Sequence, residues 1–337
     1  MKKIITKYYK VAAYLIGIMF LLYLMDDYGF GVIIEKIGEV SWYFLYIVIL
    51  GGLVYYLNTF SWKAIIDASG ESISFSKIYG LVVSGYAINY ITPFVGLGGE
   101  PYRIMALSKE TSKTKATMLV SQYSLMHMYS HLWFWMLGLA IMVLNLEFHN
   151  FNIAIYIASL LFIVSMYIFF INLFKNGFIY RVYRIFSKLP IINHLTAKFT
   201  DKEDKIKNLD QLISGLYNTN KAAFYKSLFF EFASRLLAAV EYLLILKAIG
   251  VDISLIDAFY ISAASSLIAN IIFFIPMQIG VREGGLYFVL NTLGLNPGLG
   301  IIVGLVTRIR EFTWIGIGFL IMPLINKKKK QELKHEY

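Results

Sequence analysis

Pro93-Phe94-Val95-Gly96-Leu97-Gly98-Gly99-Glu100 in the first half of the chain and Pro276-Met277-Gln278-Ile279-Gly280-Val281-Arg282-Glu283 in the second interrupt otherwise apolar segments. Each places a glutamate seven residues after a proline, with three glycines between in the first and one in the second. Proline removes a backbone donor and glycine admits unusual backbone angles, so both stretches read as breaks in helices at membrane depth. Non-helical backbone persists there only where it is buried in protein or lines a wet cavity. Gly/Pro interruptions at matching places in two halves mark the binding site of a repeat-built transporter.

The surrounding composition supplies the membrane. Of 337 residues, 58% are hydrophobic and 15% charged, and the mean hydropathy is +0.64, more apolar material than a soluble core could hide. Aromatic residues make up 17%, many of them Tyr and Trp near segment ends, where interfacial anchors sit. The net charge of +10 does not point to nucleic acid, because Lys and Arg gather at segment ends and in one loop. The chain has no cysteine, which removes disulfides, thiolate metal sites and thiol chemistry. No A-x-A-like cleavage site follows the first apolar stretch, which reads as a retained anchor.

Stretches long enough to cross the ~30 Å hydrocarbon core lie at 8–25, 41–62, 116–144, 152–174, 227–249 and 300–324, and the two motifs interrupt 77–103 and 255–293. Lys2, Lys3, Lys7 and Lys10 precede the first span, Arg103, Lys109, Lys113 and Lys115 follow the first motif, and Lys327 to Lys330 lie near the end. Those regions are expected in the cytoplasm. The loop at 26–40 sets Lys36 against Asp26, Asp27, Glu35 and Glu39, and 145–151, 250–257 and 294–299 contain no Lys or Arg. Those are expected outside.

Threading the chain through these flanks makes 77–103 begin and end inside and 255–293 begin and end outside. The expected fold is therefore an all-α polytopic membrane protein with about six full spans plus two oppositely oriented re-entrant, broken helical hairpins forming an inverted repeat. Paired short spans satisfy the same sign rule. One transmembrane domain is expected over 1–325, with an interfacial cytoplasmic loop at 175–226 and a basic cytoplasmic tail at 326–337. That loop alternates apolar and basic residues and suits an anionic inner leaflet.

Ionisable residues at membrane depth are functional candidates. Glu100, Arg103, Arg282 and Glu283 fall at the mouths of the two hairpins, and Arg308 lies well inside the last span, where a planar guanidinium suits a lipid phosphate. The alternative is a set of structural salt bridges pinning the hairpins. Asn89 and Asn270 are expected to support the broken backbone together with Pro93, Gly98, Gly99, Pro276 and Gly280. Glu231 with Arg235 and Arg308 with Glu311 can neutralise each other at helical spacing, Arg310 lies between the latter two, and Glu241 has no local cation. Thr117, Ser121, Ser124, His127 and His131 form a polar stripe, but His127-Met-Tyr-Ser-His131 lacks the glutamate of the zinc-protease form, so no metal is expected. No G-x-x-x-x-G-K-[ST] loop occurs and no cofactor is expected.

These motifs and the span layout resemble the flippase-like transmembrane region of lysylphosphatidylglycerol synthases and its stand-alone relatives, some grouped with archaeal dolichyl-glycan enzymes, over roughly 10–325. The resemblance implies a polytopic inner-membrane protein that moves a phospholipid or lipid-linked headgroup between leaflets. It implies functional roles for Glu100, Arg103 and Glu283, with Arg308 as a cavity arginine. The partners implied are the membrane, an anionic phospholipid or polyprenyl-linked substrate, and a separate lipid synthase or glycosyltransferase. The soluble aminoacyl-transfer domain of the best-known members is not expected here, so transport is favoured over synthesis; an intramembrane lipid-modifying transferase and a non-catalytic partner of a synthase are the alternatives.

Overall fold

The computed structural model describes residues 18–92, 98–145, 153–176, 207, 214–272 and 275–327. Those residues are helical, with no strand among them. In chain order the principal helices are α1 (18–28), α2 (Phe30–Val40), α3 (Tyr43–Ala68), α4 (Phe75–Ile91), α5 (Gly99–Leu107), α6 (Lys113–Asn145), α7 (Ile153–Asn176), α8 (Lys221–Ala248), α9 (Leu255–Ile271), α10 (Val281–Thr292) and α11 (Leu299–Lys327). Local chemistry sets several starts. Asn220 Oδ1 accepts from Ala223 N at the head of α8, and Ser254 and Asp257 close a capping box on α9.

Among the described residues α3 alone is both long and apolar enough to cross a bilayer on length and composition. Helices α6, α8 and α11 have 33, 28 and 29 residues and at ~1.5 Å per residue exceed the hydrocarbon thickness. Their polar and charged residues lower the hydropathy, and many of these are buried, as protein-facing groups at membrane depth must be. The region expected as an outer loop at 26–40 is instead mostly the amphipathic helix α2. It turns away from α1 at Gly29, whose φ of +99° favours glycine, and packs Ile33 with Leu24 and Ile301. Of the loop read over 175–226, the described parts belong to α7, to a short turn of helix at 214–219 and to the start of α8; the rest, like the tail beyond 327, lies outside the described residues.

Both interrupted segments are split. The first is α4 with 17 residues and α5 with 9; the second is α9 with 17 and α10 with 12. Each pair follows a long helix and precedes another, giving 26, 17, 9 and 33 residues in the first half and 28, 17, 12 and 29 in the second. The packing recurs as well: α4 lies on α11 and α9 on α6, while α3 and α8 lie against each other. Phe60 stacks on Phe230 and Ser61 Oγ meets Ser227 Oγ at 2.8 Å along that central seam. On the side read as cytoplasmic, Lys115 Nζ reaches Glu71 Oε1 at 2.8 Å and Lys77 pairs with Glu110. Lys115, aided by the Thr111 hydroxyl, holds the Glu71 carboxyl below the usual carboxylate range.

Candidate functional site

Helix α10 begins directly after the second break. The turn over Pro276–Gln278 and the residues after it contain left-handed backbone, with φ of +54° at Met277, +53° at Gln278 and +77° at Gly280. Two non-glycine residues in that region cost on the order of 1–3 kcal/mol each, so the surroundings must hold them. Arg308 on α11 does so. Its Nη1 donates to Met277 O at 3.1 Å and to Tyr90 Oη at 3.3 Å, its Nη2 donates to Gln278 O and to Glu283 Oε2, each at 3.0 Å, and its Nε donates to Glu283 Oε1. All of its N–H groups are thereby directed at protein oxygens. Glu283, fully buried, also accepts the Gly280 N–H at 3.0 Å, so the helix N-terminus is met by the chain's own carboxylate.

Two glycines one turn apart bring α11 close enough for this. A Cβ at Gly300 would lie 2.5 Å from Tyr287 N, and one at Gly304 would lie 2.7 Å from Glu283 Cγ. The Gly300-Ile-Ile-Val-Gly304 spacing is the small-residue pattern of close helix packing in membranes. The pattern is readable in the sequence.

The local pairings expected within the last span are not those formed. Arg308 pairs with Glu283 rather than Glu311; Glu311 Oε1 takes Arg282 Nη1 at 2.7 Å. Glu241, which has no cation at helical spacing, receives both prongs of Arg310 from α11 at 3.0 and 2.9 Å. The close contact of α10 with α11 and the reach of α8 decide these partners, and neither is visible in one-helix spacing. Three carboxylates and three guanidiniums thus form a neutral network across α8, α10 and α11, with Tyr90 of α4 at its edge. No sequence signal singled out Tyr90.

The first break is built differently. Pro93 lies outside the described residues. Beyond it, Gly99 N donates to Asn89 Oδ1 at 2.6 Å, and Asn89 Nδ2 approaches Glu100 Oε1 at 3.4 Å, so Asn89 bridges the two arms. Ser124 of α6 also donates to Glu100 Oε1, and Arg103 Nη1 lies 3.6 Å from the same oxygen. Buried Arg103 donates to the carbonyls of Leu81 and Val82 on α4 at 3.2 and 3.1 Å. This requires Gly85, where a Cβ would strike the guanidinium, and Gly99, where a Cβ would strike the Gly85 carbonyl oxygen. Gly98, the N-cap of α5, packs against the Thr92 side chain.

Asn270 does not repeat the role of Asn89. It donates to Ser266 O at 2.8 Å within its own helix, and Gln278 Nε2 spans the second break instead, reaching Ala269 O at 3.3 Å. Among the described residues Glu100 and Arg103 form no hydrogen bond or ion pair with Arg282, Glu283 or Arg308. The two groups are joined through consecutive residues of α4, Asn89 serving the first and Tyr90 the second. Beside the second break lies an apolar groove of about 340 Å³ lined by Phe20, Ile268, Ile272, Ile275, Val281 and Phe288, among others.

No solved structure matches the chain. A UPF0104 membrane protein of Methanocaldococcus jannaschii is 36% identical over 96 residues, a match that spans 28% of this chain and 29% of that protein. The family model described as the lysylphosphatidylglycerol synthase TM region matches residues 10–318. That stretch contains the buried ion pairs found among the described residues and both helix breaks, and this helical membrane protein belongs to the lysylphosphatidylglycerol synthase TM-region family.

Proposed function

We propose that the protein moves a phospholipid, or another lipid carrying an anionic headgroup, between membrane leaflets. The observation that carries this reading is the neutral ion-pair network assembled on a broken helix beside an apolar groove. A headgroup crossing hydrocarbon alone would leave polar groups unsatisfied at several kcal/mol each, and exchange with such a network lowers that cost. Lipid phosphate would take up guanidinium donors of Arg282 and Arg308 as Glu311 and Glu283 give them up. Glu100 and Arg103 would serve the headgroup on the other side of α4, and the groove would hold an acyl chain. A transferase using Glu283 as general base fits less well, because both of its oxygens are engaged by Arg308.

In this reading the protein sits in the cytoplasmic membrane with both termini inside, and α4–α5 and α9–α10 are opposed hairpins of an inverted repeat. The recurring helix lengths and packing support the repeat; loop charge supports the inversion. Single cysteines can be placed without a competing native thiol. Lys109→Cys should resist an impermeant maleimide added to intact cells, while Asp252→Cys and Asn296→Cys should label. Labelling of Asp252→Cys with protection of Asn296→Cys would make the second segment a single crossing and remove the inverted repeat.

Transport itself is tested in liposomes carrying the purified full chain and a fluorescent phospholipid, with leaflet exposure read by an impermeant quencher. Glu100→Gln should slow lipid movement roughly tenfold or more while leaving the protein folded in detergent, since the charge rather than the volume is invoked. Wild-type rates in that variant would take Glu100 out of the site. Absence of movement by the unmodified protein across phosphatidylglycerol and lipid-linked sugars would reject the proposal.

A further inference from the structure

The network on the second break does not use His127, Glu231 or Arg235, and these come together between α6 and α8. Glu231 is fully buried, and its Oε2 lies 2.8 Å from His127 Nδ1 and 3.9 Å from Arg235 Nη2. Its Oε1 makes no hydrogen bond among the described residues, which is costly for a buried carboxylate oxygen. The His127 side chain is 42% exposed, so the ring runs from the protein surface to an enclosed acid. Arg235 is turned toward α6, donating from Nε to Ser130 Oγ at 2.7 Å and from Nη2 to the His127 carbonyl.

We propose that His127 and Glu231 form a proton-binding site that couples lipid movement to protons, an inference that rests on the translocation reading above. The step balances without a co-reactant. Neutral His127 carrying its proton on Nδ1 donates to Glu231 Oε2; a proton from water adds at Nε2; the Nδ1 proton passes to Oε2. The result is a neutral imidazole protonated on Nε2 and a neutral carboxylic acid, with one proton gained. Protonated Glu231 no longer balances Arg235 on its own helix, and the hydrogen bond between α6 and α8 reverses, the carboxylic acid donating to His127 Nδ1. Helix α8 also carries Glu241, which clamps Arg310 two residues from Arg308, so a shift of α8 reaches the headgroup network through one rigid element.

The charged and titratable groups around this pair come from several helices. From α5, Arg103 and Glu100 lie within electrostatic reach of Tyr123, as do Glu231 and Arg235. His131 lies one turn along α6 at a ring separation of 5.5 Å, and α3 presents Trp62 stacked on Tyr123 at 4.9 Å. The α3 charges Lys63 and Asp67 pair with each other, Asp257 of α9 is held at its Ser254 cap, and Lys175 sits at the end of α7. No group of three metal-ligating side chains occurs among the described residues.

Two measurements on the full chain test it. In the liposome assay, an inward gradient of about one pH unit should raise the initial rate of lipid movement by up to about tenfold, the ratio of proton activities. In His127→Gln and Glu231→Gln, the ratio of rates with and without the gradient should fall to one. In infrared spectra of the protein in nanodiscs, acidification should produce a carboxylic-acid C=O band that is lost in Glu231→Gln and kept in Glu100→Gln. Should Glu231→Gln fail to fold, His127→Gln decides, and a wild-type gradient ratio there overturns the proposal. So does an unchanged acid band in a folded Glu231→Gln. Movement by the unmodified protein that ignores the gradient overturns the coupling alone, whereas no movement at any pH overturns the translocation reading and the coupling with it.

Discussion

Arg308→Met should lower the stability of the detergent-solubilised protein by about 3–5 kcal/mol, the usual cost of removing one partner of a buried ion pair. It should also abolish lipid movement. Arg308 is 8% exposed and its partner Glu283 not at all, so the abandoned carboxylate has no water to turn to. The loss extends beyond charge, because the Met277 and Gln278 carbonyls, held in left-handed backbone, also lose their donor. Unpaired buried acceptors cost on the order of 1–3 kcal/mol each. Arg308→Lys should fail in the same direction, since a point ammonium with three donors cannot serve a carboxylate on one side and two backbone oxygens on the other. Adding Glu283→Gln to Arg308→Met should recover at least ~1 kcal/mol by removing the stranded charge. Equilibrium unfolding in mixed detergent micelles measures all four proteins. A single-variant loss under ~1 kcal/mol would show that the pair contributes no more than a surface bridge.

How far the sequence anticipated this site depends on the range of the interaction. The breaks were legible because proline and glycine act on their own backbone, and the splitting of both interrupted segments into a 17-residue helix and a shorter one follows from that local chemistry. The long helices were legible from apolar length, although α8 begins at Lys221, six residues before the expected span, where Asn220 provides the cap. Residues 26–40 were misread as a loop because their acids masked an amphipathic pattern that buries Ile33 and Val40. Partner choice was the least legible part. Spacing along α11 allows Arg308 to meet Glu311, but the separation of α10 and α11 is set by Gly300 and Gly304, and that separation delivers Glu283 to Arg308 first. Likewise Asn89 and Asn270 hold similar places before their prolines, yet Asn89 alone crosses its break, because Gly99 lets α5 approach α4 until the Gly99 amide reaches the carboxamide. The His127–Glu231 contact joins residues 104 apart and was readable only as two separate features.

Gly300→Ala should be among the most damaging single-methyl changes in this protein. The added Cβ would sit 2.5 Å from Tyr287 N and 2.7 Å from Leu286 C, both backbone atoms that no rotamer change can move. Helix α10 must therefore back away from α11, and Glu283 with it. Overpacking of this kind costs about 1–3 kcal/mol, occasionally more. Here the displacement also stretches the hydrogen bonds of Arg308, so lipid movement should fall at least as far as stability. Gly99→Ala should act alike on the first break, driving α5 from α4 and taking Arg103 from the Leu81 and Val82 carbonyls. The control lies on α11 itself. Gly316→Ala adds a methyl where no atom lies within 4 Å, and the better helix former should leave the protein unchanged or more stable by up to ~1 kcal/mol. Comparing thermal unfolding of the three variants separates a steric origin from a general sensitivity of these helices to alanine. If Gly300→Ala unfolds at the same temperature as Gly316→Ala, the close α10–α11 contact does not position Glu283, and the geometry assigned to the second break loses its cause.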